Sequence, residues 1–345
     1  MGLLPLSRRL AAAGLLGLLA APHLWGQAKY AGELFELPGT ARSMAMGGTG
    51  VNGLHGSATG FFNPALVGQV QPPSLLLAHR EQFGGVVSAD LAAAMLPTSG
   101  RLAVQLGILR RAVDRIPDTR SALADLNGNG LLDDNEILVG SDVTYFNQRE
   151  WGILLSLARR EQTGWQWGLS VKLLGNRVAD ALGLGIGFDI GLHRKLGHGL
   201  GLGLLLQDAT TTQVHWSSGR WETTMPRITL GLQWDFNLPL FVQAVTLALE
   251  GTTRLDGERL ERDLQLGPLS ILGRAGIELR VNESLRLRAG RGALFPFTLG
   301  VGLNFPAFAV DYAYVATARE PVFDPTQQLS LTLYLQSLRT LLGTG

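Results

Sequence analysis

The residues best suited to chemistry stand in the stretch DLNGNGLLDDNE, which covers positions 125–136. Its oxygen-bearing side chains have the spacing of an EF-hand type calcium loop. The glycine at the sixth position makes the sharp turn, and the glutamate at the twelfth can give two oxygens. Leu132 is the apolar residue that such loops turn inward. The predicted ligands are Asp125, Asn127, Asn129, Leu131 through its backbone carbonyl, Asp133 and Glu136.

The rest of the chain offers little catalytic chemistry. Cysteine is absent, and the six histidines show no metal-ligand spacing, His193 and His198 standing near a predicted turn. Glycine-rich runs such as GLGIGFDIGL alternate with Leu and Ile at strand period and do not indicate a dinucleotide fold. No nucleophile motif is present, so we predict that the protein is not an enzyme. A barrel-borne hydrolase, with a Ser-His pair assembled in space, is the weakest alternative.

Composition narrows the class of protein further. Only 17% of the 345 residues are charged, and the formal net charge is +1. This share is below the roughly 25% of ordinary globular domains. A chain without a basic excess has no electrostatic footprint for nucleic acid, so nucleic acid is not among the predicted partners.

The N-terminal residues have the pattern that is typical of an export signal. Arg8 and Arg9 precede an apolar run at positions 10–21, and small residues follow at Gly26 and Ala28. The run is shorter than the roughly 20 residues of a transmembrane helix, which indicates a cleaved signal peptide over 1–28. No later apolar stretch has that length, so the mature protein is either exported and soluble or a membrane β-barrel.

Period-2 alternation dominates positions 73–345 and indicates strands. In PRITLGLQWDF, from Ile228 to Phe236, every second residue is apolar, and the intervening positions are polar or glycine. The stretches WQWGLSVKL and LGIGFDIGL repeat the pattern. About fourteen such segments follow one another, an even number within the range of bacterial outer-membrane barrels.

A soluble β-sandwich also alternates, but three features favour a barrel. Most segments reach the roughly 9 to 11 residues that a tilted strand needs to cross hydrocarbon. No amphipathic helices are available to cover so large a sheet, whereas closure removes its edges. Aromatic residues stand near segment ends, where a girdle would lie: Trp151, Trp165, Trp167, Trp216, Trp234, Phe295, Phe305 and Tyr312. The predicted fold class is therefore an all-β, transmembrane antiparallel β-barrel of about 14 strands.

Positions 29–72 differ from the rest of the chain. The stretch from 38 to 72 has no clean period and is rich in Gly, Ser and Ala. It is too apolar for a disordered tail, and its small residues permit tight folding. We predict that it forms a hatch or plug in the barrel lumen.

Two blocks of this region carry a family resemblance: ARSMAMGGTGV at 41–51 and ATGFFNPALV at 58–67. The chain resembles the PorV/PorQ family of outer-membrane proteins, relatives of the FadL-type transporters of hydrophobic compounds. Later blocks resemble the family in the same order: FGGVVSADLAAAMLP, IPDT at 116–119 and the long stretch at 285–315. The resemblance implies a FadL-like barrel of fourteen strands with an internal N-terminal hatch.

Five residues of the resembling blocks are the predicted hatch residues: Arg42, Gly47, Gly48, Asn63 and Pro64. An unpaired arginine in a water-poor lumen is costly, so a carboxylate neighbour is expected. We predict that Arg42 and Asn63 find polar partners among inward residues such as Asp189, Asp235 or Asp311.

The calcium-type loop at 125–136 falls in a connection of roughly 30 residues, of the length that barrels place outside the cell. A calcium sensor needs flanking amphipathic helices and a Met-rich groove, and neither is visible. We predict instead a structural ion of weak affinity, about 10⁻⁴ to 10⁻³ M, the alternative being a metal-free Asx turn.

We predict that the barrel lies in the outer membrane, in contact with its lipid. Two roles for such a barrel remain open. In one, resembling PorV, it is an accessory of type IX secretion that binds exported proteins. In the other, it is purely a FadL-like conduit for hydrophobic small molecules. A conduit is expected to present an apolar pocket beside the hatch, and an accessory is expected to present ordered outer loops.

Overall fold

The structure is a computed structural model. It describes residues 33–35, 39–71, 73–98, 100–160, 164–238, 242–255, 264–266, 269–292, 296–316, 325–341 and 343. The predicted signal peptide at 1–28 lies outside the described residues. No helix of the described residues is long and apolar enough to cross a membrane.

One antiparallel sheet contains all the strands of the described residues, which we number β1 to β17 in chain order. The first nine are β1 Ser74–Gln82, β2 Val87–Leu96, β3 Leu102–Asp118, β4 Thr144–Arg159, β5 Trp165–Val178, β6 Ala181–Gly197, β7 Leu200–Gln207, β8 Thr212–Trp216 and β9 Trp221–Thr224. The others are β10 Arg227–Phe236, β11 Ala244–Arg254, β12 Leu264–Leu266, β13 Leu269–Arg280, β14 Leu285–Gly292, β15 Thr298–Asn304, β16 Phe308–Val315 and β17 Thr326–Tyr334.

The sheet closes on itself because β1 pairs with β2 on one side and with β17 on the other. The ring has fourteen strand positions. β8 continues the line of β7 beside β6 after an irregularity at 208–211, where Asp208 and Thr211 have positive φ. β9 pairs with β8 and leads into β10, and β12 forms a short hairpin with β13. The predicted fourteen-stranded antiparallel barrel is confirmed.

The two ends of the barrel carry connections of different length. At one end the connections are two to seven residues long, and β1 begins and β17 ends there. At the other end lie the connections 119–143 and 208–226. We call these the short-loop end and the long-loop end. In bacterial barrels the short turns face the periplasm and the long loops face outside.

The strands present an apolar outer face and a polar inner face. On β10, Leu230 is 52% exposed, whereas its neighbours Thr229 and Gly231 are buried. Leu184 and Ile186 on β6 are likewise exposed. Polar side chains inside and apolar side chains outside are the arrangement that lipid requires of a barrel wall.

The predicted aromatic girdle is correct in part. Outward, exposed rings near the short-loop end include Trp165, Trp167 and Trp234. Trp216 does not belong to the girdle, because it is only 9% exposed and packs with Val214 in the β8 hairpin. Trp151 is exposed but lies in the middle of β4. Phe295 lies outside the described residues.

The segment that precedes β1 is compact and buried. It contains 3-10 helices at Glu33–Phe35, Gly56–Phe61 and Pro64–Gln69 and the helix α1 at Ala41–Ala45. The Thr40 side chain caps α1 by accepting from the N–H of Ser43. A 3-10 helix at Gly140–Asp142 and the helix α2 at Leu335–Leu341 complete the structure.

This N-terminal segment, residues 39–71, contacts strands all round the ring. α1 packs against β14 to β17, the helix Gly56–Phe61 against β1 to β4, and the helix Pro64–Gln69 against β3 to β6. Asn52 donates to the carbonyls of Gly201 on β7 and Gly231 on β10. The segment is therefore enclosed by the barrel wall.

Paired glycines on the inner wall make this close approach possible. Gly168 and Gly191 stand opposite each other on β5 and β6, and a Cβ at Gly168 would overlap the backbone of Pro64. Two further pairs act in the same way under Val51–Asn52 and Met46–Gly47. They are Gly203 with Gly231 and Gly276 with Gly290. The three pairs form seats at which the segment lies directly against the wall, because the glycines carry no side chain.

We predict that Gly168→Val destabilises the folded barrel by about 1–3 kcal/mol, because the added side chain overpacks the seat under Pro64. The measurement is the temperature at which the unboiled protein loses its compact migration on a gel. Gly273→Val is the matched control, since a Cβ at Gly273 meets nothing within 4 Å. Equal effects of the two substitutions would contradict the role of the seat.

Candidate functional site

Arg42 anchors the N-terminal segment to the barrel wall. Its guanidinium donates from Nε to Oε2 of Glu278 at 2.9 Å and from Nη2 to Oε1 at 3.1 Å. Arg288 donates to the same Glu278 carboxylate and, through Nη1, to Asp311 at 2.6 Å. A chain of alternating charges thus runs from the segment across β13 and β14 to β16. Two-pronged arginine–carboxylate pairs of this kind combine strength with fixed orientation.

The predicted partners of Arg42 need correction. The expected carboxylate is present, but it belongs to Glu278, and Asp311 joins only through Arg288. Asp189 pairs with Lys172 at 2.7 Å in another cluster, and Asp235 accepts from Gln233 and Thr246. Alternation shows which residues point inward. It does not show which of them meet, because that depends on the register around the closed ring.

Asn63 also has partners other than the predicted carboxylates. Its Nδ2 donates to the carbonyls of Val51 at 2.9 Å and Leu192 at 3.2 Å. Its Oδ1 accepts from the N–H of Ala65 at 3.0 Å and caps the helix Pro64–Gln69. Proline suits the first position of that helix because it needs no N–H there. The Asn63–Pro64 pair therefore turns the chain and ties it to β6.

Gly47 and Gly48 form the turn that follows α1. Their φ angles are 71° and 86°, in the left-handed region that favours glycine. The N–H of Gly47 donates to the hydroxyl of Thr298 on β15 at 3.1 Å. At Gly47, moreover, an added Cβ would meet the backbone of Arg291. Both conformation and space therefore require glycine at position 47.

One further carboxylate holds the segment and was not among the predicted site residues. Oε1 of Glu250, on β11, accepts from the N–H groups of Gly50 at 2.7 Å and Val51 at 2.6 Å. Glu250 occupies an inward position of a strand in the same alternating pattern. The signal that could have found it is an acidic residue on the inner face of a predicted strand.

A second charged cluster lies within the wall on β5 and β6, directly after β7 and at the start of β10. Lys172 contacts both Asp189 and Asp208, and Arg227 lies 3.5 Å from Asp208. All four side chains are buried. The Lys172 ammonium also stands 5.4 Å from the centroid of the Phe35 ring, within cation–π range. This cluster joins the first described helix to the barrel.

A cavity of about 750 Å³ lies between the N-terminal segment and the short-loop end. Arg42, Asn52 and His55 line it from the segment. Burial, together with the positive charge of Arg42, lowers the pKa of His55 well below its usual value. The wall contributes apolar side chains such as Leu76 as well as charged ones. The lining is therefore mixed, unlike the apolar pocket that the conduit hypothesis predicts beside the hatch.

The calcium-type loop projects from the long-loop end. A bridge between Leu123 and Leu138 closes its base, and the N–H of Ala124 donates to the carbonyl of Ile137 at 3.0 Å. The two ends of the loop are thus held side by side by backbone pairing.

Within the loop, backbone N–H groups orient both end carboxylates. Asp125 accepts from Gly128 and Gly130, and the Gly130 hydrogen bond is the main reason that the pKa of Asp125 is lowered. Glu136 is only 7% exposed and accepts from Leu126 and Asp133.

The middle positions of the loop converge on Asp133. The side-chain amides of Asn127 and Asn129 donate to its Oδ2 at 2.6 and 2.9 Å. Leu132 is 57% exposed, so the expectation that it turns inward was wrong. Among the described residues, no three His, Cys, Asp or Glu side chains lie together in an arrangement for a metal ion. Calcium binding by the loop stays a prediction.

The closed wall and its apolar outer face define a fourteen-stranded antiparallel β-barrel of the membrane type, with the N-terminal segment inside it. Among solved structures, the chain is similar to the toluene transporter TbuX of Ralstonia pickettii, with 15% identity, a TM-score of 0.53 and coverage of 87% of this chain and 98% of that one.

Two further structures give the same result. The Pseudomonas putida toluene transporter TodX matches with 12% identity, a TM-score of 0.52 and coverage of 86% of this chain and 97% of that one. CymD, a monoaromatic hydrocarbon channel, matches with 12% identity, a TM-score of 0.55 and coverage of 87% and 98%. At these identities the similarity shows the fold. No protein-family model matches the chain, and no curated protein matches it in sequence.

We predict that Ser57→Cys with Ser74→Cys forms a disulfide, because the two hydroxyl oxygens lie 2.7 Å apart between the segment and β1. The chain contains no other cysteine to compete. Faster migration of the unreduced, denatured protein on a gel would report the cross-link.

The control for this experiment pairs Ser57→Cys with Leu75→Cys. Leu75 follows Ser74 on β1 and therefore points to the opposite face of the wall. A cross-link of equal yield in the control, or none in the test pair, would contradict the enclosed position of the segment.

Proposed function

We propose that this barrel carries hydrophobic compounds across the outer membrane, and that its N-terminal segment gates the passage. The single observation that supports this most is the fold. It is shared over 97–98% of the length of chains described as toluene transporters or as a monoaromatic hydrocarbon channel.

The way in which the segment is held suits a gate. Side-chain groups hold it at Glu278, Glu250 and Thr298. The wall does not depend on those bonds, since its strands are joined by their own closed ladder. The segment can therefore shift away from one part of the wall while the barrel stays intact.

Of the two roles open from the sequence, the comparisons favour the conduit. They give no support to the secretion-accessory role or to exported proteins as partners. The similarity to PorV/PorQ in particular rests on the sequence blocks alone, whereas the FadL-like fold rests on the structures.

We predict that locking the segment with the 57–74 disulfide reduces the flux of a hydrophobic solute such as toluene into proteoliposomes. If the segment moves to open the passage, a covalent tie to β1 holds it closed. Reduction of the disulfide should restore the flux within the same sample. The Ser57→Cys single variant, treated with the same oxidant, controls for damage to the barrel.

Two results would count against the proposal. Wild-type flux no greater than that of protein-free liposomes would remove the conduit function itself. Equal flux before and after reduction of the locked variant would leave the conduit but remove the gate.

We also propose that calcium orders the outer loop at 125–136. The donor set of carboxylate, amide and backbone carbonyl oxygens is the hard-oxygen chemistry that calcium takes. The structure fits this in part. Backbone N–H groups already orient Asp125 and Glu136, and a half-turn of the Asn127 and Asn129 amides would bring their oxygens toward Asp133.

We predict that Glu136→Gln weakens calcium binding about tenfold or more, because it removes the ligand that can give two oxygens. The measurement is calorimetric titration of the purified barrel, with limited proteolysis of the loop in parallel. Asp134→Asn is the matched control, since Asp134 is exposed and occupies no ligand position. Wild-type protein without any calcium response would reduce the loop to a series of Asx turns.

A further inference from the structure

The cavity between the N-terminal segment and the short-loop end has an excess of positive charge. Its lining contains five cationic and three anionic side chains, so two positive charges are not balanced when the histidines are neutral. The cations are Arg42, Lys195, Arg280, Arg286 and Arg288, and the anions are Asp235, Glu278 and Asp311.

The three carboxylates already have donors, whereas two of the arginines have no carboxylate. Glu278 is shared by Arg42 and Arg288, and Asp311 accepts from Arg288. The side chains of Arg280 and Arg286, by contrast, make no hydrogen bond or salt bridge with any residue that the structure describes. Their guanidinium groups therefore line the cavity without a carboxylate partner among the described residues.

Arg280 and Arg286 also stand directly opposite each other. They are register partners on β13 and β14, and both line the cavity. Like charges at opposed positions on one face of a sheet destabilise the pair. An oxyanion between them reverses that effect, because the planar guanidinium donors match the oxygens of phosphate or carboxylate.

The N-terminal segment contributes Arg42, Asn52 and His55 to the lining of the cavity. Nε2 of His55 and Oδ1 of Asn52 are buried and have no hydrogen-bond partner among the described residues. His55 is 4% exposed and Asn52 7%, and both line the cavity. Both atoms are shielded from the cavity itself, so the polar groups that a ligand there can reach are the arginines of the wall.

We propose that this cavity binds a phosphate-type dianion held between Arg280 and Arg286. A dianion balances the excess of two positive charges, whereas a single carboxylate leaves one charge over. The ligand chemistry can come from free inorganic phosphate or from the phosphate group of an amphiphile, whose chain would lie against apolar lining such as Leu54 and Leu76. This site goes beyond the proposed transport of hydrophobic compounds and does not depend on it.

The experiment is calorimetric titration of the detergent-purified, full-length barrel at pH 8 with inorganic phosphate, decyl phosphate and decanoate. The double variant Arg280→Gln/Arg286→Gln should bind both phosphates about tenfold or more weakly, which is the effect of losing roughly one charge-assisted hydrogen bond. The double variant Arg280→Lys/Arg286→Lys keeps both positive charges but loses the planar, two-pronged guanidinium donors. Its affinity for phosphate should therefore lie between that of the wild type and that of the Gln double variant. Arg101→Gln removes an arginine from a turn at the same end, outside the cavity, and should leave binding unchanged.

Comparison of the three titrated ligands distinguishes the two sources of phosphate. Decyl phosphate binding more tightly than inorganic phosphate supports an amphiphile, and equal binding supports free phosphate. Equal affinity of wild type and double variant for both, or decanoate binding as tightly as decyl phosphate, would overturn the proposal. Flux of toluene is measured separately, so a failure of the conduit function does not mimic a failure of this site.

Discussion

The pairing of β1 with β17 is the interaction on which the rest of the structure depends. In hydrocarbon, each backbone N–H and C=O must be satisfied within the wall, so an open edge is not tolerated. Closure sets one register for the whole ring, and this register decides which side chains meet inside it. The opposition of Glu278 and Arg288 on β13 and β14 follows directly from it.

Closure also explains why the charges gather inside. With lipid on the outer face, the lumen is the place where ionic side chains find partners, and the N-terminal segment supplies several of them. Removing one member of an ion pair that is largely withdrawn from water leaves an uncompensated charge, which is costly. Arg42 and Glu278 therefore specify one seated position of the segment. The hydrogen bonds from Gly50 and Val51 to Glu250 specify it again at a second point on the wall.

Much of the fold could be predicted because a barrel wall has a simple period. Alternation in segments such as 228–236 shows both the strand and its inner face, and counting such segments gives fourteen. The contacts between segment and wall could not be predicted in the same way. That Arg42 needs a carboxylate follows from burial, but the choice of Glu278 over Asp235 depends on register across strands far apart in sequence. The alternating pattern shows that glycines such as Gly168 and Gly191 point inward. It does not show that the N-terminal segment packs against them.

The glycine seats have a consequence for the order of assembly. Each seat is made by two neighbouring strands, so it exists only after those strands have paired. α1 precedes every strand in the chain, yet it packs against β14 to β17, which come last. Contacts of such sequence separation form slowly, because the entropy of closing the long chain must be lost first. The N-terminal segment must therefore wait, unseated, until the final strands arrive, and its docking is expected to be the last step of folding.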